Sequence, residues 1–283
     1  MKIAFFGTPS FALLSLEALL KSKHEIVCIV SQPDKPVGRG GKIQHSPVKE
    51  FALKNNIPIF QPERISKELQ VIYPFKPDII VTCAFGQILR QNVLDYPKFG
   101  VINVHGSLLP KYRGASPIQW AVVNGETKTG VTIMQTDIGM DTGDMILSKS
   151  IDIGPTETSG ELFPRLANLG AKLLVTALDD IESGKAKKTP QNESLATHAP
   201  MLKREHGKID FGRPPQEIVN LVRGLNPWPS AYFELNGEII KVHKASVNNG
   251  KLELDEVQAP NSRRMSWRDF ANGRRIDGSF NFS

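Results

Sequence analysis

The sequence predicts an α/β fold: a mostly parallel sheet with flanking helices, followed by a smaller β-rich C-terminal piece. Three observations predict it. Short apolar, β-branched runs (KIAFFG at 2–7, HEIVCIV at 24–30, PDIIVTCA at 77–84, VINVH at 101–105) alternate with stretches of helical spacing, as in βαβ units covered on both faces. The last run carries a polar pair, Asn103 and His105, at its C-terminal end, where open α/β sheets hold ligands. Beyond a polar stretch, Asn236-Gly237 separates two alternating runs and marks a hairpin.

Composition narrows the class. Charged residues make up 23% and hydrophobic ones 40% of 283 residues, which fits neither a disordered chain nor a membrane protein. No apolar stretch approaches the ~20 residues of a spanning helix. Met1 leads at once into a strand, with no room for a signal or transit peptide, so a cytoplasmic protein is expected. Cys28 and Cys83 lie in apolar runs and read as buried thiols rather than a disulfide or a metal pair. The net charge of +6 tilts mildly toward polyanionic partners.

In chain order, strand 2–7 is followed by Phe11, Leu14, Leu16 and Leu19 at roughly helical spacing, then by strand 24–30. This βαβ opening lacks G-x-G-x-x-G, which argues against a dinucleotide site. Residues 32–47 (QPDKPVGRGGKIQHSP) hold three prolines and three glycines, a density that predicts a loop without regular structure. Lys35, Arg39 and Lys42 punctuate it. Its GRGGK is not a phosphate-binding P-loop, since Pro36 stands where the first Gly belongs and Ile43 where Ser or Thr does. It is either an ordinary solvated loop or an exposed basic finger that meets phosphates, with Arg39 suited to bidentate contact.

A helix at 48–55, a short strand at 58–60, a helix at 66–73 and the strand at 77–84 come next. Phe85-Gly86-Gln87-Ile88-Leu89 leaves that strand at the edge shared by Asn103 and His105. It can wall a pocket for a flat heterocycle, or be core. In 101–105, alternation points Asn103 and His105 to one face and Val104 to the other, and Gly106-Ser107 ends the strand. An amide and an imidazole so placed can both donate to one carbonyl oxygen, as acyl transfer requires when charge develops there. The alternative is a satisfied core histidine beside a capping asparagine.

A helix at 118–124 and a strand at 130–135 lead into TDIGMDTGD, with Asp137, Asp141 and Asp144. Gly139 and Gly143 disfavour a helix, and the spacing is not that of an EF-hand. A tight loop bringing one carboxylate toward the Asn/His pair is the better reading, able to orient the imidazole and manage protons. A strand at 145–151 and a helix at 159–181 close a domain at 1–182. Residues 183–208 read as a linker. A helix at 215–223, strands at 231–235, 238–245 and 251–257, and a helix at 266–272 fill a second domain, 209–283.

The run Asn103-Val104-His105-Gly106-Ser107-Leu108-Leu109-Pro110, continued by Lys111-Tyr112-Arg113-Gly114-Ala115, resembles the central signature of the folate-dependent formyltransferases. Asp141, in Asp-Thr-Gly 38 residues after Asn103, falls where that family has its catalytic Asp. Two stretches resemble the branch that acts on methionyl-tRNA: the basic loop running into Ser46-Pro47-Val48-Lys49, and Asn226-Pro227-Trp228-Pro229 with Lys241-Val242 and Lys244-Ala245-Ser246. The resemblance covers residues 1 to 247. Before the family's ending, here 260–270, this chain lacks several strands of the expected C-terminal domain.

The resemblance implies a Rossmann-like formyltransferase fold with a shortened, OB-like C-terminal barrel. It implies formyl transfer from 10-formyltetrahydrofolate to the amino group of initiator methionyl-tRNA, for translation initiation. Asn103, His105 and Asp141 are the expected catalytic residues. Ser107, Leu108, Leu109 and Pro110, with Phe85, Gly86, Ile88 and Leu89, are expected at the folate, and Lys35, Arg39 and Lys42 at the tRNA. No metal, no membrane and a monomer are expected. The alternatives are a formyltransferase for an amino sugar nucleotide or another small amine, and a formyl-folate hydrolase or non-catalytic sensor.

Overall fold

The computed structural model describes residues 1–37 and 42–276. Strand β1 (Lys2–Gly7) passes through a 3-10 turn (Ser10–Ala12) into α1 (Leu13–Leu20), which buries Leu16 and Leu19, and the chain returns as β2 (Glu25–Val30). The basic segment departs from expectation. Lys35–Val37 (β3) and Lys42–Gln44 (β4) pair antiparallel, with Pro36 opposite Ile43. A two-stranded ribbon consists only of edges, so a proline costs it little, and the three glycines all fall between the strands in sequence. The ribbon leads into α2 (Pro47–Lys54), where the Ser46 hydroxyl accepts from Lys49 N at 3.1 Å and Pro47 takes the first helical position, the favoured start of a helix.

After β5 (Ile59–Phe60), the expected helix at 66–73 is instead a 3-10 stretch at Leu69–Phe75 with Pro74 inside it. Pro74 lacks the N–H that a longer α-helix would use. Then come β6 (Ile79–Cys83), α3 (Gln91–Leu94), β7 (Val101–His105), α4 (Pro117–Val123), β8 (Lys128–Gln135), β9 (Met145–Asp152) and α5 (Ser159–Glu182). The remainder is α6 (Pro215–Gly224), β10 (Ala231–Leu235), β11 (Glu238–Asn248), β12 (Lys251–Gln258), β13 (Met265–Ser266) and α7 (Trp267–Arg274).

The chain forms two compact units. One comprises Met1–Arg113, Gly130–Ser150 and Pro164–Thr197; the other comprises Gly114–Thr129, Ile151–Phe163 and His198–Ser283. The first sheet runs β5-β2-β1-β6-β7-β8-β9. It is parallel from β5 to β7, and β8 joins β7 antiparallel. Its central strands β1, β6 and β7 are buried on both faces, as a near-continuous apolar run demands: Ala4, Phe6, Val30, Ile80 and Val101 pack with Ile72 and Phe85 in one cluster. Cys28 and Cys83 are free, buried thiols, and burial pushes both up to about 12.

The second sheet is an antiparallel meander, β10-β11-β12-β13. Its first two hairpins, β10–β11 and β11–β12, turn on Asn-Gly. Asn236 and Gly237 have φ of 50° and 79°, Asn249 and Gly250 φ of 49° and 76°, the left-handed pair that a two-residue hairpin turn needs. Only the first was read from the sequence. Among the described residues β10 and β13 are not neighbours, so this sheet is open. Val222, Leu225, Phe233, Ile240, Val257 and Phe270 lie in its core. No helix among the described residues is long and apolar enough to cross a membrane.

Candidate active site

Strand β7 carries the site because its two faces do different work. Ile102 and Val104 are buried on the face toward α5, where a Cβ on Gly170 would stand 2.9 Å from Val104 Cγ1. Asn103 and His105 point to the other face, as strand alternation requires. Thr82, opposite Asn103 on β6, donates its hydroxyl to Asn103 Oδ1 at 2.9 Å. The amide oxygen is thereby occupied, and both Nδ2 protons are left to donate. Among the described residues they have no partner.

The His105 ring is oriented by backbone. Its Nε2 lies 2.9 Å from the Tyr112 carbonyl oxygen. A carbonyl can only accept, so Nε2 holds the proton and Nδ1 is bare in the neutral ring. Nδ1 stands 3.6 Å from Asp141 Oδ2, beyond hydrogen-bond length but close enough for the carboxylate to stabilise a protonated ring. His105 is 5% exposed and the Asp141 side chain 19%.

The three aspartates of 137–144 divide their tasks. Asp137 closes the loop, accepting from the Thr142 hydroxyl at 2.7 and 2.9 Å and from Gly139 N at 3.1 Å. Asp144 offers its carbonyl to Gln135 N. Asp141 faces His105, in the left-handed region at φ +54°. Gly143 is obligatory, since a Cβ there would sit 1.9 Å from the Gln135 carbonyl oxygen.

The turn after β7 is tied from within and from outside. The Ser107 hydroxyl donates to Lys111 O at 2.6 Å, and the buried Thr132 hydroxyl bridges Ser107 O and Leu109 N. Thr197 takes the Tyr112 and Arg113 amides on its hydroxyl and carbonyl, at 2.8 Å each, and returns its own N–H to Pro110 O. The segment read as a linker therefore braces this turn, which holds His105 through Tyr112. Arg113, 3% exposed, forks onto Glu193 at 2.8 and 2.7 Å and onto Gln191 Oε1 at 3.0 and 2.8 Å. The pairing lowers the Glu193 carboxyl below its ordinary range and raises Arg113 above its own.

The residues expected at the folate separate into two kinds. Phe85 packs on Phe6 with ring centroids 5.1 Å apart, and Leu89 lies in the same core cluster. Ser107 and Leu109 are also buried, Leu108 and Pro110 half-buried. Gly86, at φ +81°, and Ile88, 86% exposed, reach solvent. Thr8 and Gln32 hold this edge by donating to the Phe85 carbonyl at 3.1 and 3.3 Å.

Of the three cations expected at the tRNA, Lys35 is exposed on β3, Lys42 contributes backbone to β4, and Arg39 lies outside the described residues. The base of the ribbon is clamped by a residue the sequence reading passed over. Asp34 accepts from Lys49 at 2.5 Å, from His45 at 2.9 Å and from Gln61 at 2.8 Å. Lys49 first, then Gln61, hold its carboxyl down to about 2. Thr82, Thr197 and Gln191 were likewise missed. A threonine within the apolar run IIVTC was the one available signal, for Thr82.

A model of the formyl transferase family matches residues 1–178, and one of the formyl transferase C-terminal domain matches residues 201–251. This chain belongs to the formyl transferase family. It is 47% identical to the methionyl-tRNA formyltransferase of Agathobacter rectalis, covering 99% of both chains, and 44% identical to that of Clostridioides difficile, covering 98% of both. The first alignment runs over 307 positions against 283 residues here, so that family member carries stretches this chain lacks. Among solved structures, the methionyl-tRNA formyltransferase of Clostridium thermocellum aligns with TM-score 0.60 and 19% identity over 92% of this chain and 98% of that one. A sugar 3N-formyl transferase solved with dTDP and 5-N-formyl-THF aligns with TM-score 0.70 and 23% identity over 93% and 99%. Both likenesses speak to the fold of the family alone.

Proposed function

We propose that this chain transfers a formyl group from 10-formyltetrahydrofolate to the α-amine of initiator methionyl-tRNA, in the cytoplasm, with 1–182 as catalytic domain, 183–208 as connector and 209–283 as tRNA-binding domain. The observation that carries the reading is the convergence of Asn103, His105 and Asp141 in a chain nearly half identical, end to end, to a methionyl-tRNA formyltransferase. The site suits a formyl donor: Asn103 has two amide protons to give, His105 a bare Nδ1, and the adjoining Gly86–Ile88 edge is open to a flat ring.

The chemistry follows from these atoms. As the amine attacks the formyl carbon, Asn103 Nδ2 donates to the oxygen on which negative charge develops. With Nε2 committed to Tyr112, the working atom of His105 is Nδ1. It takes the proton that the amine sheds and, now charged, presents N–H to the same oxygen. Asp141 stabilises that imidazolium across 3.6 Å. The proton then passes to N10 as the old C–N bond breaks, so donor and acceptor exchange one formyl group for one proton. Lys35, Arg39 and Lys42 meet acceptor-stem phosphates.

The test is transfer of labelled formyl from 10-formyltetrahydrofolate to charged initiator tRNA, run beside a dTDP-amino sugar and a no-acceptor control. Formyl-methionyl-tRNA as the main product is expected. Label appearing only on the sugar, or only as free formate, overturns the reading.

A further inference from the structure

We propose that Gln191 is a positioning residue that sets Asp141 against His105. The inference rests on the reading of His105 and Asp141 as the proton-handling pair. Gln191 lies in the stretch between the two family matches, which end at 178 and resume at 201. Its amide does two jobs at once. Oε1 accepts from Arg113 Nε and a terminal nitrogen at 3.0 and 2.8 Å, and Nε2 donates to the carbonyls of Asp141 and Gly143 at 2.8 and 2.7 Å. Two donors and an acceptor in one neutral group are what an amide supplies and a carboxylate does not.

Asp141 needs such a tether. It sits at φ +54°, and its loop has little apolar anchorage: Ile138 and Met140 are each 67% exposed. At the other end of the tether, Arg113 directly follows Tyr112, the residue whose carbonyl holds His105 Nε2. A single run of bonds thus passes from the imidazole through Tyr112, Arg113 and Gln191 to the backbone of Asp141. Both members of the pair are referenced to one frame, and Glu193 fixes the guanidinium in the middle of it. The separation of 3.6 Å between Nδ1 and Oδ2 is where a small drift of the loop has most effect, because attraction between opposite charges falls as they part.

The experiment uses Gln191→Leu and Gln191→Glu in the full chain. Leu removes every bond; Glu keeps an acceptor for Arg113 but turns an acceptor toward two carbonyls. Formyl transfer to methionyl-tRNA should lose on the order of tenfold or more in kcat in both variants, with both KM values within about twofold. Combined with Asp141→Asn, the Gln191→Leu loss should shrink to less than about twofold, because a residue acting through Asp141 has nothing left to position. Amide exchange of residues 137–144 should quicken in both variants. A kcat within about twofold of the parent, or a loss that multiplies in full onto Asp141→Asn, overturns the proposal. If the parent chain does not formylate methionyl-tRNA, the function reading fails by itself, and the exchange measurement then decides the tether: unchanged exchange in 137–144 overturns it and faster exchange supports it.

Discussion

Replacing Thr82 by Val removes one hydroxyl and leaves the rest of the strand as it was. Val keeps the β-branch that suits β6, and position 82 is 7% exposed, so solvent does not take over the lost role. The hydroxyl has one proton and two acceptors within reach, Asn103 Oδ1 at 2.9 Å and Ile102 O at 3.2 Å; the shorter contact goes to the amide. Without that donor, nothing distinguishes the two ends of the Asn103 amide, and its oxygen can turn toward the developing negative charge. The lower bound on the cost is one net hydrogen bond, about 1 kcal/mol, or roughly fivefold in rate. The upper bound is the loss of a whole oxyanion donor, ~2.7–4 kcal/mol or about 10²–10³-fold. Thr82→Val should therefore lower kcat between those limits, and Asn103→Leu should sit at the upper one. The assay is steady-state formyl transfer with both substrates varied, and KM for each should hold, since the interaction belongs to the transition state. A Thr82→Val enzyme with parental kcat, or one impaired only in KM, refutes the assignment of Asn103 as an oriented oxyanion donor.

His105→Ala should lower turnover by at least about a hundredfold, and near-normal turnover in that variant removes His105 from the mechanism. Arg39→Ala with Lys42→Ala should raise KM for methionyl-tRNA and flatten its dependence on log salt by about one unit per lost phosphate contact; an unchanged slope reduces the ribbon to surface decoration. His24 and His243 are held below the ordinary imidazole value of 6.5, chiefly by burial. The unfolded chain then binds their protons more tightly, so stability is complete above 6.5 and is lost as pH falls through it toward the lowered folded values. His243→Gln should flatten that loss, read as urea midpoints between about pH 7.5 and about pH 5; an identical slope excludes His243 as a contributor.

The sheet was legible because its signal is local. Strands β1, β2 and β6 each hold a run of three or more apolar residues, and the β10–β11 hairpin turns on Asn236-Gly237, a pair that tolerates left-handed backbone. The same locality explains what was misread. Counting prolines and glycines across residues 32–47 averaged over a span whose three glycines fall together, between two strands of three residues each. Asn103 and His105 were legible through alternation, and the loop 137–144 through its glycines. The tautomer of His105 was not, because it depends on the Tyr112 carbonyl seven residues away, reached only by a turn.

That turn points to a further reason. Three residues bearing side chains hold left-handed backbone around the site: Ala84 at φ +49°, Tyr112 at φ +62° and Asp141 at φ +54°. Ala and Tyr rarely adopt it, and each such residue costs of order 1–3 kcal/mol unless its surroundings over-determine it. The surroundings here do so through distant partners. Thr8 and Gln32 bind the carbonyl next to Ala84, Thr197 binds the Tyr112 amide, and Gln191 binds the Asp141 carbonyl. A sequence motif records residues that are close in the chain, whereas these restraints come from 50 to 85 residues away. The strained backbone and its remote tethers are one device: relaxing any tether should release its own loop first, and the shared geometry of Asn103, His105 and Asp141 only through that loop.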